Sequence, residues 1–73
     1  MKLTLLAKDE KSHKKACPSV YFSDSGEFIV QGQQLSSADM GELQNPLAGE
    51  TAVRIAPDIV LRAVEAYQRN TAT

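Results

Sequence analysis

His13 and Cys17 are the single histidine and the single cysteine of this 73-residue chain, and they are the residues best suited to nucleophilic chemistry. Because they are four positions apart, they would meet on one face of a helix, where an imidazole could activate a thiol. Pro18 directly follows Cys17 and disfavours helical backbone at that point. We therefore expect Cys17 to be a small, buried thiol at the start of a strand. The alternative is a reactive redox thiol flanked by Lys14 and Lys15, and it stays open.

Other kinds of catalytic or cofactor site lack the residues that they need. One histidine and one cysteine leave only carboxylates to complete a zinc site. The four glycines match neither GxxxxGKS/T nor GxGxxG, so no phosphate-binding loop is expected. None of the nine acidic residues lies in an apolar sequence setting that would suit acid–base catalysis. The sequence predicts a non-enzymatic protein without a metal or other cofactor.

Charge is unevenly distributed along the chain. Residues 1–15 carry five lysines and two acidic residues, whereas residues 16–73 carry three arginines and seven acidic residues. The net charge of −1 gives no general attraction to nucleic acid. We predict that residues 1–15 form a flexible, lysine-rich arm, and an alternative function for the protein is nucleic-acid binding through this arm. The lysines of the arm are Lys2, Lys8, Lys11, Lys14 and Lys15.

A single cysteine cannot form an internal disulfide, so nothing in the sequence indicates an oxidising compartment. The N-terminal apolar run at residues 3–7 is too short for a signal peptide or a membrane span. We expect a cytoplasmic protein that does not enter membranes.

Residues 19–32 have the pattern of a β-hairpin. Two runs of aromatic and β-branched residues flank the Asp-Ser-Gly sequence at residues 24–26, which is typical of a type I turn closed by a left-handed glycine. Antiparallel pairing around this turn predicts which residues share a face of the sheet. The predicted pairs are Phe22 with Phe28 and Val20 with Val30 on one face, and Tyr21 with Ile29 on the other.

The C-terminal third of the chain predicts one strand and one helix. Alternation of apolar and polar residues over residues 51–56 favours a strand. Pro57 suits a first helical position, and Asp58 suits the positive N-terminal end of a helix. Apolar residues at helical spacing then continue the pattern, so we predict a helix over residues 57–69.

These elements predict an α+β fold in which a small antiparallel sheet of three to four strands packs on the C-terminal helix. The sheet contains the hairpin and the strand at residues 51–56, and the segment from Leu3 to Leu6 could add an edge strand. Between them, a short helical turn through Leu43 could be capped by Ser36, Ser37 and Asp39. Residues 16–73 are thus predicted to form a single small domain.

Several of these elements resemble a class of very short actinobacterial proteins. The resemblance covers about residues 17–64. It depends on the Cys-Pro pair at residues 17–18, the aromatic hairpin with its D-x-G turn, the VQG at residues 30–32, and the strand from Gly49 to Pro57. Proteins of this class lack an assigned activity and often lie near genes for helix-turn-helix regulators. The resemblance implies a regulatory or partner role by association.

A chain of this length has too little core to cover all the apolar faces that its pattern predicts. The hairpin is apolar on both faces, and the helix adds an apolar stripe. We therefore predict a small interaction or regulatory module that completes its core with a second copy of itself or with another protein. The predicted partner surface consists of Tyr21, Phe28, Ile29, Val60, Val64 and Tyr67.

Overall fold

The structure is a computed structural model that describes residues 1–10 and 17–71. Its elements, in chain order, are strand β1 (Leu3–Lys8), strand β2 (Ser19–Ser23), strand β3 (Phe28–Gln31), strand β4 (Gln33–Gln34), helix α1 (Ser37–Met40), strand β5 (Val53–Arg54) and helix α2 (Pro57–Thr71). The main sheet is antiparallel with the order β1-β2-β3, and β4 pairs with β5 in a second, two-stranded sheet. The predicted α+β class is confirmed.

The hairpin formed by β2 and β3 has the predicted register. Val20 pairs with Val30, Tyr21 with Ile29 and Phe22 with Phe28. At the turn, Gly26 has a φ of 87°, a backbone conformation that glycine adopts without steric cost. The hydroxyl of Ser23 also holds the turn, because it donates to the Glu27 carbonyl at 3.0 Å and accepts from the Glu27 amide at 3.1 Å.

Strand β1 lies within the segment that the sequence predicted as a flexible arm. It pairs with β2, and Leu5 lies opposite Tyr21. A β-bulge follows, because Leu6 has no partner between Leu5 and Ala7. Apolar residues on this strand gain cross-strand contacts that a solvated arm would lack. Residues 3–8 thus form a paired strand, in the place where the sequence allowed an edge strand. Residues 11–15 lie outside the described residues, so the arm stays a prediction there.

The strand predicted at residues 51–56 is shorter than expected and belongs to the second sheet. Only β5, Val53–Arg54, is paired, and its partner is β4 rather than a strand of the main sheet. Strand β4 is short because the chain continues directly into the cap of α1. Gly32 allows the close approach of the two strands, since a Cβ atom at this position would lie 2.5 Å from the Arg54 carbonyl oxygen.

Helix α1 begins after Ser36, whose side chain accepts a hydrogen bond from the Asp39 amide at 3.2 Å, as the predicted cap requires. Helix α2 begins at Pro57, which is the predicted first helical residue. It ends close to the predicted boundary at residue 69, and its apolar side packs on the main sheet.

The hydrophobic core is small and lies between α2 and two strands of the main sheet. Four hydrophobic side chains of the described residues are buried, and two of them are alanines. They are Ala7, Val20, Ile59 and Ala63. Leu6 and Ile55 pack against this cluster as half-buried residues. Helix α2 packs mainly on β1 and β2, which leaves β3 beside the helix rather than beneath it.

Candidate interaction surfaces

The six residues of the predicted partner surface lie on opposite faces of the main sheet. We call the face that carries α2 the inner face and the opposite one the outer face. The Tyr67 ring of α2 lies 5.1 Å from the Phe22 ring and 5.2 Å from the Phe28 ring, measured between centroids. Phe22 and Phe28 are therefore on the inner face. Tyr21 and Ile29, which alternate with them along the strands, are on the outer face.

Apolar side chains stay exposed on the inner face where β3 lies beside α2. Phe28 and Val30 share this face by strand alternation, and Val60 and Val64 share the Tyr67 side of α2 by helical spacing. We call these five residues the β3–α2 groove. Phe28 is 44% exposed, Val30 40% and Val60 38%, although these residues lie next to the core. The groove brings together four of the six predicted residues and adds Val30. Whether they bind a partner stays a prediction.

The width of one helix explains why this groove is open. An α-helix with its side chains is about 10 Å across, whereas neighbouring strands lie about 4.8 Å apart. One helix therefore covers about two strands. Because α2 packs on β1 and β2, the inner face of the third strand has no helix above it.

The aromatic end of the groove contains open space. Phe22, Gly26, Phe28 and Tyr67 line a cavity of about 170 Å³. A second cavity of about 280 Å³ shares Phe22 and Tyr67, and its remaining lining residues are Thr4, Leu6 and Asn70. The rings of Phe22 and Phe28 meet nearly edge to face, at 6.2 Å between centroids. These aromatic rings are in mutual contact but are not closely surrounded, so their packing could be completed by further apolar groups.

The outer face of the sheet carries a second apolar surface. Leu3 and Leu5 of β1 are exposed there, and Tyr21 and Ile29 of the hairpin are half-buried. The Tyr21 hydroxyl donates a hydrogen bond of 2.6 Å to Oε1 of Gln31, which holds the ring across the sheet. Leu3 and Leu5 were missed as surface residues by the sequence-based prediction. Their alternation with Thr4 was the signal that could have placed them on the same face as Tyr21.

The two edges of the main sheet also differ in what they offer to another strand. Where β2 meets β3 at the turn, the Ser23 amide of β2 donates to the Glu27 carbonyl. Alternation from this pair directs the backbone groups of Ile29 towards β2 and those of Phe28 and Val30 away from the sheet. On β1, the carbonyl of Lys8 points outwards and accepts a hydrogen bond of 3.0 Å from the Arg62 guanidinium.

Cys17 lies outside the core, in a half-buried position just before β2. The Ser19 hydroxyl donates to the Cys17 carbonyl at 2.8 Å. The residue also lines a shallow cavity of about 250 Å³ on the outer face, together with Lys8, Tyr21 and Gln31. Cys17 is thus half-buried rather than buried, and it precedes the strand, which begins at Ser19. His13 lies outside the described residues, so the redox alternative stays a prediction.

The lysines of the nucleic-acid alternative are only partly described. Lys2 and Lys8 are exposed near the two ends of β1, whereas Lys11, Lys14 and Lys15 lie outside the described residues. The nucleic-acid alternative stays a prediction.

A larger cavity of about 410 Å³ lies beside α1. It is lined by Met40, Leu43, Gln44, Pro46, Glu50, Thr51 and Ala52. Most of these residues belong to the irregular segment between α1 and β5, where the Leu47 amide donates to a Glu50 carboxylate oxygen at 2.8 Å. Within residues 1–10 and 17–71, no group of three or more histidine, cysteine, aspartate or glutamate side chains could hold a metal ion.

Comparison of the chain with protein-family models, with curated proteins and with solved structures gives no match. The resemblance to short actinobacterial proteins therefore stays a prediction. In the part of the chain that the structure describes, no helix has the length and apolar character needed to cross a bilayer.

Proposed function

We propose that this protein is a non-enzymatic interaction module that completes its core by forming a homodimer. The observation that carries the proposal is the open β3–α2 groove, where Phe28, Val30 and Val60 are exposed directly beside the core. Contiguous apolar surface next to a small core marks a protein–protein contact in soluble proteins. The partner that binds this groove is a second copy of the chain, because two-fold homodimers are the commonest protein assemblies and a second copy is always present.

The surface area of the chain supports a dimer of ordinary size. The chain has an accessible surface of 5950 Å², a total to which residues 11–16 and 72–73 also contribute. A standard interface buries about 800 Å² on each partner. An interface of this size would cover about one seventh of the surface of the chain, close to the share that is usual for a small protein.

The small core supports the proposal independently. With Ala7, Val20, Ile59 and Ala63 as its buried hydrophobic residues, the described monomer places few large side chains out of water. Each fully buried valine, leucine or phenylalanine contributes about 1.5–3 kcal/mol, so a core of this size stabilises a fold only weakly. Burial of Phe28 and Val30 in a dimer would add stability at the point where the monomer lacks it. We place the module in the cytoplasm because its single cysteine requires no oxidising compartment.

Sedimentation equilibrium over a range of micromolar concentrations tests the proposal. We expect a dimer, and we expect the midpoint of thermal unfolding to rise with protein concentration, because dissociation accompanies unfolding. Val60→Glu places a charge in the groove and should give a monomer. Leu61→Glu is the matched control, since Leu61 is the next residue of α2, is 69% exposed and points away from the sheet.

A wild-type chain that sediments as a monomer at all these concentrations, with an unfolding midpoint independent of concentration, would contradict the proposal. Equal dissociation of the Val60→Glu and Leu61→Glu dimers would also contradict it, because the groove would then have no special part in association.

A further inference from the structure

We propose that the two copies of the homodimer join edge to edge, with β3 of one copy pairing antiparallel with β3 of the other across a two-fold axis. The main sheet then runs through both copies, and the two β3–α2 grooves face each other on its inner side. This arrangement depends on the proposed homodimer and specifies the edge, register and residues that form it.

The β1 edge carries features that oppose strand pairing. Its carbonyl at Lys8 is already bonded to Arg62, and a β-bulge interrupts the strand between Leu5 and Ala7. Lysines flank or end the strand at Lys2 and Lys8. Bulges and lysines are the devices with which natural sheets protect an edge from other strands. The β1 edge is thus protected.

The β3 edge has no such protection. Its four residues, Phe28–Gln31, include no charged residue, no proline and no bulge in their pairing with β2. The backbone N–H and C=O groups of Phe28 and Val30 point away from β2, where another strand could bond to them. A short apolar strand with an unprotected edge is suited to pair with a second strand.

The direction of these backbone groups limits the register of the pairing, because residues whose groups point outward must lie opposite each other. In the register that gives both outward residues partners within β3, Phe28 of one copy exchanges hydrogen bonds with Val30 of the second copy, and the reverse pair follows from the two-fold axis. Ile29 then lies opposite Ile29 of the second copy. Glu27 lies opposite Gln31 of the second copy, so no like charges are placed in opposition.

The pairing also covers the exposed apolar groups on the inner face. Phe28 and Val30 of the two copies become cross-strand neighbours on strands about 4.8 Å apart. In each copy, Val60 and Tyr67 of α2 face these cross-strand neighbours, because both lie on the side of the helix that contacts Phe28. A single interface therefore buries the residues that the monomer leaves exposed along β3.

A disulfide test identifies the edge that is used. Residues opposite each other at Ile29 form a non-hydrogen-bonded pair with Cα atoms about 4.5 Å apart, which is within the range that a disulfide spans. In a Cys17→Ser background, Ile29→Cys should give a disulfide-linked dimer with oxidised glutathione as the oxidant. The matched control is Thr4→Cys in the same background, at the position that would lie on the axis if β1 paired with itself. It should stay unlinked.

A hydrogen-bond test measures the contribution of the edge. Val30→Pro removes an outward N–H, a change that an edge strand tolerates when the N–H makes no bond within the sheet. We expect the dissociation constant of the dimer to rise at least about tenfold. Leu3→Pro makes the same change on the β1 edge, where Leu3 is also exposed, and should leave the dissociation constant unchanged.

The outcomes separate this arrangement from the proposed function. A monomeric wild-type chain would overturn both. A wild-type dimer in which Ile29→Cys does not cross-link, or in which Thr4→Cys cross-links instead, would overturn the β3 pairing and leave the homodimer standing. Should Val30→Pro fail to fold, the cross-linking result alone decides the matter.

Discussion

Val20 and Val30 are the same residue type, they lie opposite each other in the sheet, and both point to the inner face. Val20 is 3% exposed, whereas Val30 is 40% exposed. The difference comes from the position of α2, which covers β1 and β2 and leaves β3 open. An apolar residue in a paired strand is therefore not automatically a core residue. Its burial depends on the next layer, and in this molecule one helix is too narrow for three strands.

The same contrast holds on the helix. Ile59 is buried in the core, and Val60, the next residue, is exposed in the β3–α2 groove. In the β1–β2 half of the molecule, apolar side chains stabilise the monomer. In the β3 half, they are available to a second chain. The following substitutions test whether this division is real.

The largest effect is expected for Ile59→Ala. Removing a buried isoleucine side chain leaves a cavity and costs about 2–5 kcal/mol of unfolding free energy. Val60→Ala is the matched change in the open half. At concentrations low enough for the chain to be monomeric, it should cost under about 0.5 kcal/mol, which is typical of a surface site. Urea unfolding, followed by circular dichroism, gives both values. Equal losses for Ile59→Ala and Val60→Ala at low, monomeric concentration would contradict the division.

An intermediate effect is expected for Val20→Ala. It removes buried methyl groups beneath α2 and should cost about 2 kcal/mol. Val30→Ala, tested in the Val60→Glu background to keep the chain monomeric, should cost well under about 1 kcal/mol. In the wild-type background, Val30→Ala should also weaken the dimer. If the two valines prove equally important to the monomer, then α2 covers β3 as well, and the groove is closed in solution.

The smallest effect is expected for Arg62→Met, which removes the hydrogen bond from α2 to the Lys8 carbonyl on the β1 edge. An exposed hydrogen bond of this kind contributes about 0.5–1.5 kcal/mol, and the methionine retains much of the apolar contact of the arginine stem. Arg69→Met on the same helix serves as the control and should change the unfolding free energy by a few tenths of a kcal/mol. The dissociation constant of the dimer should stay the same in both variants. A tighter Arg62→Met dimer would show that the β1 edge can also pair.

The hairpin was predictable because its information is local. The Asp-Ser-Gly turn fixes the pairing of Phe22 with Phe28, and two-residue alternation then assigns each neighbour to a face. The start of α2 at Pro57 was predictable for a similar reason, since the proline itself is suited to a first helical position.

Contacts between distant segments were not predictable in the same way. Residues 51–56 have the alternation of a strand, but nothing in that pattern specifies β4 as the partner of β5. The apolar residues of β1 indicated an edge strand, and the lysines around them indicated an arm. The cross-strand contacts of Leu3–Lys8 with β2 decided between these two.

The sequence by itself determined the turn, the register of β2 with β3, the two apolar faces of that hairpin and the apolar side of the helix. These follow from residue types at short, regular spacing. It also predicted that the chain has more apolar surface than it can bury. Only the tertiary structure decided where that apolar surface lies. Helix α2 packs over β1 and β2 and leaves β3 uncovered, because one helix of fixed width is narrower than the three-stranded sheet.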